Sequence, residues 1–526
     1  MKKIAMFLVT ALLVASAVFV GCQNGIAGKG AEFIIGNGGE PQSLDPSKIE
    51  GVPEHRIYMA LFEGLVAYDA KTATAVPGVA ESWTISPDGT VYTFKLRKAT
   101  WSDGTPITAQ TFVDSWLRTL DPATGSQYAY MIGMVVKGAD AYNTGNGPRE
   151  GVAIKAVDES TFEVTLTGPA PYALDMMAHY AFSPIPLHAV EKFGTDWIKP
   201  GNFVGNGPFV LESWTPQEKI TVVPNAKYWD KKNVHLSRIT FLPIDDNNTA
   251  YSKYVAGEID WNANPPLSML DEVKLRDDYQ VSPQVATYYY VFNVTRAPFN
   301  DVRVRKALTM AVNKQELVDK VTKAGQLPAD SIVPVMAGYT PAAGNPYNVE
   351  AAKKLLAEAG YPDGKGFPKK TVIYNTSESH KIVAEYIQQV WKTTLGIDVQ
   401  IQNVEWKTFL DERHNHDFDV ARAGWVGDYQ DPNTFHEMFL TGAGNNDGAY
   451  SNPAYDELVR KAATMVGGPD RMQVLHDAEE ILMTQDQAVM PLYFYVDQHL
   501  IDTTKWTGWY PNSLGIHPYK GITKAK

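Results

Sequence analysis

Short alternating stretches and longer helical stretches follow one another along the chain. Apolar and polar residues alternate with a period of two at 90–97 (TVYTFKLR) and 160–166 (STFEVTL), which predicts half-buried strands. Apolar runs predict further strands at 32–37, near 219–244 (KITVVP and RITFLPI) and at 488–496, the last of them buried. Strands are therefore spread over most of the sequence.

From residue 301 onwards, apolar positions recur with the spacing of helices. The segment 301–325 predicts one helix, with Gly325 as its stop. A second helix is predicted to begin at the N-cap Asn348 and to end at Gly360. The remaining predictions are a helix followed by a strand within 380–406, and helices near 453–465 and 470–484. Mixed strands and helices in more than 500 residues predict an α/β protein, with two lobes rather than one barrel.

One strand-like stretch, DVARAGWVGDYQDP (419–432), places opposite charges on one face. Side chains alternate along a strand, so Arg422, Gly424, Val426 and Asp428 point the same way if the strand begins there. At about 3.3 Å per residue, the cation and the anion lie roughly 20 Å apart. A ligand that carries both charges is one interpretation, and structural ion pairs are the other.

Composition narrows the class of protein. With 44% hydrophobic and 20% charged residues, the composition is typical of a globular protein and not of a disordered one. Its formal net charge of −12 argues against nucleic acid as a partner, because phosphate binding needs clustered Lys and Arg. The 12 Trp, 27 Tyr and 20 Phe fit a large core or a cavity lined with rings.

The N-terminus predicts export. Lys2 and Lys3 precede the apolar run 4–20, which is typical of a signal peptide spanning residues 1–21. The only cysteine, Cys22, follows Gly21 in FVGC, which resembles the lipobox of bacterial lipoproteins apart from Phe19. We therefore expect lipidation of Cys22 and a tether over 22–30. The alternative is an uncleaved membrane anchor, and either one leaves an exported, membrane-attached protein.

The usual enzyme signatures are missing from the sequence. It contains no HExxH, no GxSxG and no phosphate-binding loop, and the one cysteine is accounted for by lipidation. The eleven histidines show no clear metal-ligand spacing. We expect no catalytic residues, no metal and no cofactor.

Several stretches resemble one known family. They are 42–54 (QSLDPSKIEGVPE), 80–116 (AESWTISPDGTVYTFKLRKATWSDGTPITAQTFVDSW), 287–293 (TYYYVFN), 298–308 (PFNDVRVRKAL) and 418–435 (FDVARAGWVGDYQDPNTF). In this order they are similar to the large extracellular solute-binding proteins that feed peptide ABC transporters, and to the oligopeptide-binding branch in particular. The likeness extends over essentially the whole mature chain.

The resemblance implies an α/β, two-lobed periplasmic-binding-protein fold with a hinge and an extra inserted α+β subdomain. The expected organisation is a first lobe in three parts, an insertion and a continuous second lobe. The first-lobe parts are 31–62, 188–285 and 496–526, the insertion is 63–187, and the second lobe is 286–495. Ligand is engulfed between the lobes when the hinge closes.

The resemblance also implies roles for the charged strand. The residue matching Asp428 holds the amino terminus of the peptide, and the one matching Arg422 meets a carboxylate in short ligands. Residues matching Gly424 and Val426 pair main chain to main chain with the ligand, a route to sequence-tolerant binding. Val426 replaces a cysteine of the family, and this matters little where only the backbone is used.

Further contacts carry over from the family. Glu50 and Val52 match the opposite wall of the cleft, and His380 matches a positive partner for the carboxylate of longer ligands. The other expected contacts are Tyr128, Asn264, Trp406, Leu410, Arg413, His414 and Trp425. Each of them also has an ordinary reading as a core or surface residue. Thr322, where the family has a lysine, and Val291, where an acidic residue is expected, could change the preferred peptide length.

The expected function is that of an ABC-importer substrate-binding lipoprotein. It would capture short peptides and deliver them to permease subunits, as a monomer attached by lipid to the cell membrane and facing the periplasm or the cell exterior. The alternatives are a binder of dipeptides, murein tripeptide or another small solute, and an exported sensor or adhesin that keeps the fold.

Overall fold

The computed structural model describes residues 30–526. The predicted signal peptide, Cys22 and all of the tether except Gly30 lie outside the described residues. Within 30–526, no helix combines the length and the apolarity needed to cross a bilayer.

The strands are numbered in chain order. They are β1 (Glu32–Gly36), β2 (Val66–Tyr68), β3 (Ala75–Pro77), β4 (Ala80–Ile85), β5 (Val91–Leu96), β6 (Ala99–Thr100), β7 (Pro106–Ile107), β8 (Ile154–Asp158), β9 (Thr161–Thr165), β10 (Phe209–Thr215), β11 (Lys219–Pro224), β12 (Arg238–Leu242), β13 (Trp261–Asn262), β14 (Tyr279–Phe292), β15 (Leu327–Pro328), β16 (Thr371–Asn375), β17 (Gln400–Val404), β18 (Val420–Val426), β19 (Val489–Ile501), β20 (Trp506–Thr507) and β21 (Thr523–Lys524).

The α-helices are numbered in the same way. They are α1 (Val52–Leu61), α2 (Ala109–Leu120), α3 (Ala129–Val135), α4 (Ala139–Asn143), α5 (Ala173–Met176), α6 (Leu187–Phe193), α7 (Asn247–Val255), α8 (Leu270–Val273), α9 (Val302–Met310), α10 (Lys314–Glu316), α11 (Val349–Glu358), α12 (Glu378–Leu395), α13 (Trp406–His414), α14 (Pro453–Ala463) and α15 (Pro469–Glu479).

The large sheet runs through both lobes of this α/β fold. Its strand order is β10-β11-β12-β1-β13-β19-β14-β18-β16-β17, and β15 pairs beside β19. The two longest strands, β14 and β19, are antiparallel and lie in the middle, from Tyr279 opposite Leu500 to Val291 opposite Val489. They carry the chain from one lobe to the other.

The chain between the first two parts of the predicted first lobe forms a sheet of its own. Strands β4-β5-β9-β8 form this four-stranded sheet, and Trp116 of α2 packs edge-on against Phe162 of β9 at 5.0 Å between ring centroids. It falls within the predicted insertion 63–187. The lobe boundaries themselves stay a prediction.

Each of the predicted strands is confirmed as β1, β5, β9, β11, β12, β17, β18 or β19. The cap of α11 is also as predicted, because the Asn348 side chain accepts a hydrogen bond from the Ala351 backbone N–H at 3.0 Å. Gly360 follows the helix with φ +98°, a conformation that favours glycine.

The prediction of one continuous helix over 301–325 is wrong. Helix α9 ends at Met310, and Asn313 adopts an extended conformation that caps α10, accepting from the Glu316 backbone N–H at 3.0 Å. A π-helical turn over Leu317–Thr322 follows, and the chain turns at Lys323 with φ +55°, two residues before Gly325. The asparagine side chain competes for a backbone donor and starts a new helix within an apolar pattern that by itself looks continuous.

Candidate functional site

A cleft of about 2190 Å³, including its opening to solvent, separates the two lobes. All of the predicted peptide-binding residues line it except His414: Glu50, Val52, Tyr128, Asn264, His380, Trp406, Leu410, Arg413, Arg422, Gly424, Trp425, Val426 and Asp428. The structure therefore gathers side chains from both lobes and from the predicted insertion around one space.

Strand β18 forms one wall and leaves part of its edge unpaired. Its side chains alternate as the sequence predicts, with Arg422, Gly424 and Val426 partly exposed between buried neighbours. On one edge β14 pairs with all of β18, but on the other edge β16 pairs only at Val420 and Ala421. From Arg422 to Val426 that second edge has no strand partner among residues 30–526, so its main-chain groups are available to an extended ligand.

Asp428 lies just beyond this edge and offers an unpaired negative charge. Its backbone N–H donates to Thr434 Oγ1 at 3.0 Å, and its carboxylate Oδ1 lies 3.3 Å from Nε2 of His179. The other oxygen, Oδ2, is buried and receives no hydrogen bond from the described residues. A buried carboxylate oxygen without a donor is costly, and a ligand ammonium would satisfy it.

Glu437 is buried behind Asp428, where a second negative charge is disfavoured. Burial and, to a smaller extent, the Asp428 charge raise the pKa of the Glu437 carboxyl well above its usual value. The Asn433 side-chain amide donates to Glu437 Oε2 at 3.1 Å. The anionic character at this end of the cleft therefore rests on Asp428.

Arg422 provides the unpaired positive charge at the other end of the free edge. Its guanidinium donates to the hydroxyl of Tyr495 and, at 3.4 Å, to Asn375 Oδ1, and it lies 4.8 Å from the ring centroid of Tyr288. Its Nε is buried without an acceptor. No carboxylate within residues 30–526 forms an ion pair with it, so the charge is held by neutral groups.

The other predicted carboxylate partners are less available. Nε of Arg413 donates to Asp447 Oδ2 at 2.8 Å, so its charge already has a counter-ion. His414 lies outside the cleft lining, with Nε2 3.0 Å from the Glu50 carboxylate. Burial and the nearby Arg422 lower the pKa of His380 well below its usual value, so near pH 7 it would meet a carboxylate as a neutral imidazole. Their contacts with ligand stay predictions.

Aromatic side chains line the walls and connect them. The Trp425 ring stacks on Tyr128 with 6.1 Å between centroids, which joins β18 to the predicted insertion. Trp406 Nε1–H donates to Glu54 Oε1 at 3.1 Å, which joins α13 to α1. Burial raises the pKa of Glu54 to about 8, although backbone and indole N–H groups oppose that effect.

One group of side chains next to the cleft has the composition of a metal site. Ligand atoms of Asp497, His499 and His517 lie within 4.8 Å of one another. However, Trp261 Nε1–H donates to His499 Nδ1 at 3.1 Å, so the neutral His499 ring carries its proton on Nε2, 2.8 Å from Asp497 Oδ2. That protonated nitrogen offers no lone pair to a metal, and the trio is better described as a cluster of close polar contacts around Asp497.

Residues 74–447 match the family model "Bacterial extracellular solute-binding proteins, family 5 Middle". The chain is 41% identical to the periplasmic oligopeptide-binding protein OppA of Salmonella typhimurium, covering 96% of this chain and 95% of that protein. The chain belongs to the family 5 solute-binding proteins. Proteins of this family bind solutes for transport, which fits the expectation of a non-enzyme.

Two further family 5 relatives bear on the arrangement of the lobes. A structure of Haemophilus influenzae OppA in complex with RPPGFSPFR superposes with a TM-score of 0.90 at 35% identity, covering 95% of this chain and 99% of that one. The periplasmic murein peptide-binding protein MppA of Escherichia coli is 40% identical over 90% of this chain and 89% of its own length. One MppA structure, covering 95% of this chain and 100% of that one, gives a TM-score of 0.90, whereas its unliganded open form gives 0.62 over 95% and 98%. The lobes of this protein are therefore closer together than in that open form.

The sequence interpretation missed residues that complete the family 5 cleft. His179, Asn375 and Tyr495 contact the two charged side chains, and Gln284 and Asp497 line the floor. None of these residues lies in a motif that indicates a place in the cleft, and each comes from a segment distant in sequence from β18. Only their position in the fold brings them to the site.

Proposed function

We propose that this family 5 protein is the substrate-binding subunit of an ABC importer and captures short peptides between its lobes. The observation that carries the proposal is a free strand edge, 422–426, with a partly buried cation that has no counter-ion within residues 30–526 at one end and a partly buried carboxylate just beyond the other. A free peptide is a zwitterion with main-chain groups between its charges. Asp428 would hold its amino terminus, β18 would pair with its backbone, and Arg422 would meet the carboxylate of short ligands.

The relatives support peptides as the ligand class. The OppA proteins are named as oligopeptide-binding, and one of them was crystallised with the nonapeptide RPPGFSPFR. Water in the cleft could fill the space around varied side chains, so we expect varied peptide sequences to be tolerated.

A murein peptide is the second candidate ligand. MppA is 40% identical to this chain, almost the same as the 41% of OppA, so overall likeness does not separate the two. A cell-wall peptide also offers an amino terminus to Asp428. Identification of the bound ligand would distinguish the two candidates.

The proposal extends to the location of the protein. The OppA and MppA relatives are periplasmic, and the N-terminal sequence resembles a lipoprotein signal. We propose that the chain is exported, anchored by a lipid on Cys22, monomeric, and in contact with permease subunits when it delivers peptide.

Native mass spectrometry of the purified protein tests the ligand class. We expect a series of co-purified masses that correspond to short peptides. A single murein-peptide mass would favour the second candidate, and a single non-peptide solute would contradict the proposal.

Calorimetry with trialanine tests the amine anchor. Asp428→Asn removes the negative charge, and because a hydrogen bond to a charged group contributes about 1.5–3 kcal/mol, we expect affinity to fall by about 10- to 100-fold. Asp419→Asn is the matched control, since Asp419 lies just before the same strand but pairs with Lys370 outside the cleft. Unchanged binding by Asp428→Asn would refute the anchor.

A further inference from the structure

His179 is a buried group of the predicted insertion that faces the proposed amine anchor. It lies at the start of the 3-10 turn Tyr180–Phe182, in the predicted insertion, whereas Asp428 follows β18. Its side chain is fully buried, and Nε2 lies 3.3 Å from Asp428 Oδ1. The two residues are therefore brought together across the boundary between two parts of the fold.

The backbone fixes which nitrogen of His179 carries the proton. Nδ1 accepts a hydrogen bond from the Ala181 backbone N–H at 3.3 Å. An accepting Nδ1 has a free lone pair, so the neutral ring is protonated on Nε2. The Nε2–H group has no well-aligned acceptor among residues 30–526, and a small rotation of the Asp428 carboxylate would bring Oδ1 into line.

Packing fixes the orientation of the ring. The centroid of the His179 ring lies 3.7 Å from that of Tyr180, 4.7 Å from that of Tyr128 and 5.9 Å from that of His55. Burial lowers the pKa of His55 to about 3, so His55 is neutral and brings no competing positive charge. The proton on Nε2 of His179 is thus held towards one oxygen of Asp428.

We infer that His179 is a positioning residue for Asp428, and this rests on the proposed function. From 3.3 Å it would fix the carboxylate plane and leave the remaining lone pairs of Asp428 for a ligand ammonium. A neutral N–H donor does this without placing a second cation beside the ammonium. Because His179 and Asp428 belong to different parts of the fold, the anchor is complete only when those parts are in contact.

The test is a double-mutant cycle measured by calorimetry with trialanine. His179→Leu removes the donor at similar size, and we expect affinity to fall about tenfold, as for a lost hydrogen bond to a charged group. In the Asp428→Asn background the same substitution should change affinity less than twofold. His179→Gln, which keeps an amide donor, should restore binding to within about threefold of the wild type.

Three results would overturn the inference: no effect of His179→Leu, an equal effect in both backgrounds, or no recovery with glutamine in a protein that still melts as the wild type does. An unaffected Asp428→Asn variant would instead refute the anchor itself, so the two failures are distinguishable.

Nitrogen-15 NMR of the wild-type imidazole gives an independent readout that does not depend on a folded variant or on measurable weak binding. We expect protonation on Nε2, and a ring protonated on Nδ1 alone would contradict the inference.

Discussion

A buried charge without a counter-ion is unfavourable unless something else compensates for it, and the cleft holds two such charges. Neutral hydroxyl, amide and aromatic groups surround Arg422, while Asp428 has one buried oxygen without a donor. Arg413 shows the contrast, because Asp447 neutralises it within the chain. At the residue scale, the absence of a counter-ion separates the proposed ligand-binding charges from the structural ones.

The unpaired state of Arg422 gives a prediction about peptide carboxylates. Arg422→Gln should lower affinity for trialanine about tenfold or more, but should leave affinity for trialanine amide nearly unchanged, because the amide lacks the negative charge. Calorimetry with both peptides measures this. Arg413→Gln is the control. It leaves the buried Asp447 carboxylate without a counter-ion, so it should lower the melting temperature without discriminating between the two peptides. Equal losses for both peptides with Arg422→Gln would argue for a purely structural arginine.

Glu54 gives a prediction about pH. Its folded-state pKa of about 8 lies above the ordinary 4.5, so between these values the folded chain binds more protons than the unfolded chain. Its contribution to stability is therefore present at low pH and declines as pH rises from about 4.5 to 8, by at most about 1.4 kcal/mol per pH unit. Urea unfolding across this window should show a shallower decline for Glu54→Gln than for the wild type. Identical slopes would contradict the raised pKa.

At the scale of elements, the interrupted pairing of β18 creates the free edge to which we propose that peptides bind. Strand β16 leaves β18 after Ala421, while β14 supports β18 along its full length. Tyr288 and Tyr290 of β14 pack in one core with helices α9, α11 and α12, so the strand that supports the free edge is anchored by buried side chains. An unpaired edge in the middle of a sheet is protected from aggregation because it faces into the cleft and not into solvent.

Helix α12 also joins the lobes directly. The Glu378 carboxylate in its first turn accepts hydrogen bonds from the Leu267 and Ser268 backbone N–H groups, both at 3.1 Å. These donors begin the 3-10 turn Leu267–Met269, and α8 follows it. The contact lies beside the cleft and connects the two predicted lobes.

Removing this contact should favour the open arrangement. Glu378→Gln replaces one acceptor oxygen with an amide donor that faces a backbone N–H, so we expect peptide affinity to fall about tenfold because closure becomes less favourable. Glu385→Gln on the same helix is the matched control, since Glu385 faces Lys381 on the surface. Calorimetry measures both. Equal affinities for the two variants would show that the contact does not contribute to closure.

At the scale of the whole molecule, closure depends on the strands that cross between lobes. The pairing of β14 with β19 is regular up to Pro283 opposite Val496 and resumes at Thr287 opposite Phe494, so β14 has extra residues in between. Such an irregularity bends and twists a strand locally. Its position between the two halves of the sheet makes Gln284–Ala286 the expected hinge.

Small-angle X-ray scattering tests the motion. We expect the radius of gyration of the ligand-free protein to exceed that of the trialanine-saturated protein, because the lobes in this structure are already closer together than in the open MppA form. Asp428→Asn at the same peptide concentration should show a smaller decrease. A radius that does not change when the wild type is saturated would contradict hinge closure.

Predictions from the sequence succeeded where the determining interactions are local. The alternation along β5 and β18 and the cap at Asn348 depend on neighbours within a few residues, and the structure reproduces them. The prediction of one continuous helix over 301–325 was wrong for a local reason too, because the apolar pattern gave no sign that Asn313 would cap a new helix. The family could be predicted because its motifs are spread over the whole chain.

The sequence by itself determined the class of fold, the family and the strand that carries Arg422 and leads to Asp428, because period, caps and motifs are properties of contiguous residues. Only the tertiary structure decided which charges are free. It paired Arg413 with Asp447, left Arg422 without an anion, ended the partner of β18 at Ala421, and set His179 against Asp428. Each of these features depends on segments that are far apart in the chain. The distance in space between such segments is fixed by packing and not by their spacing in the sequence.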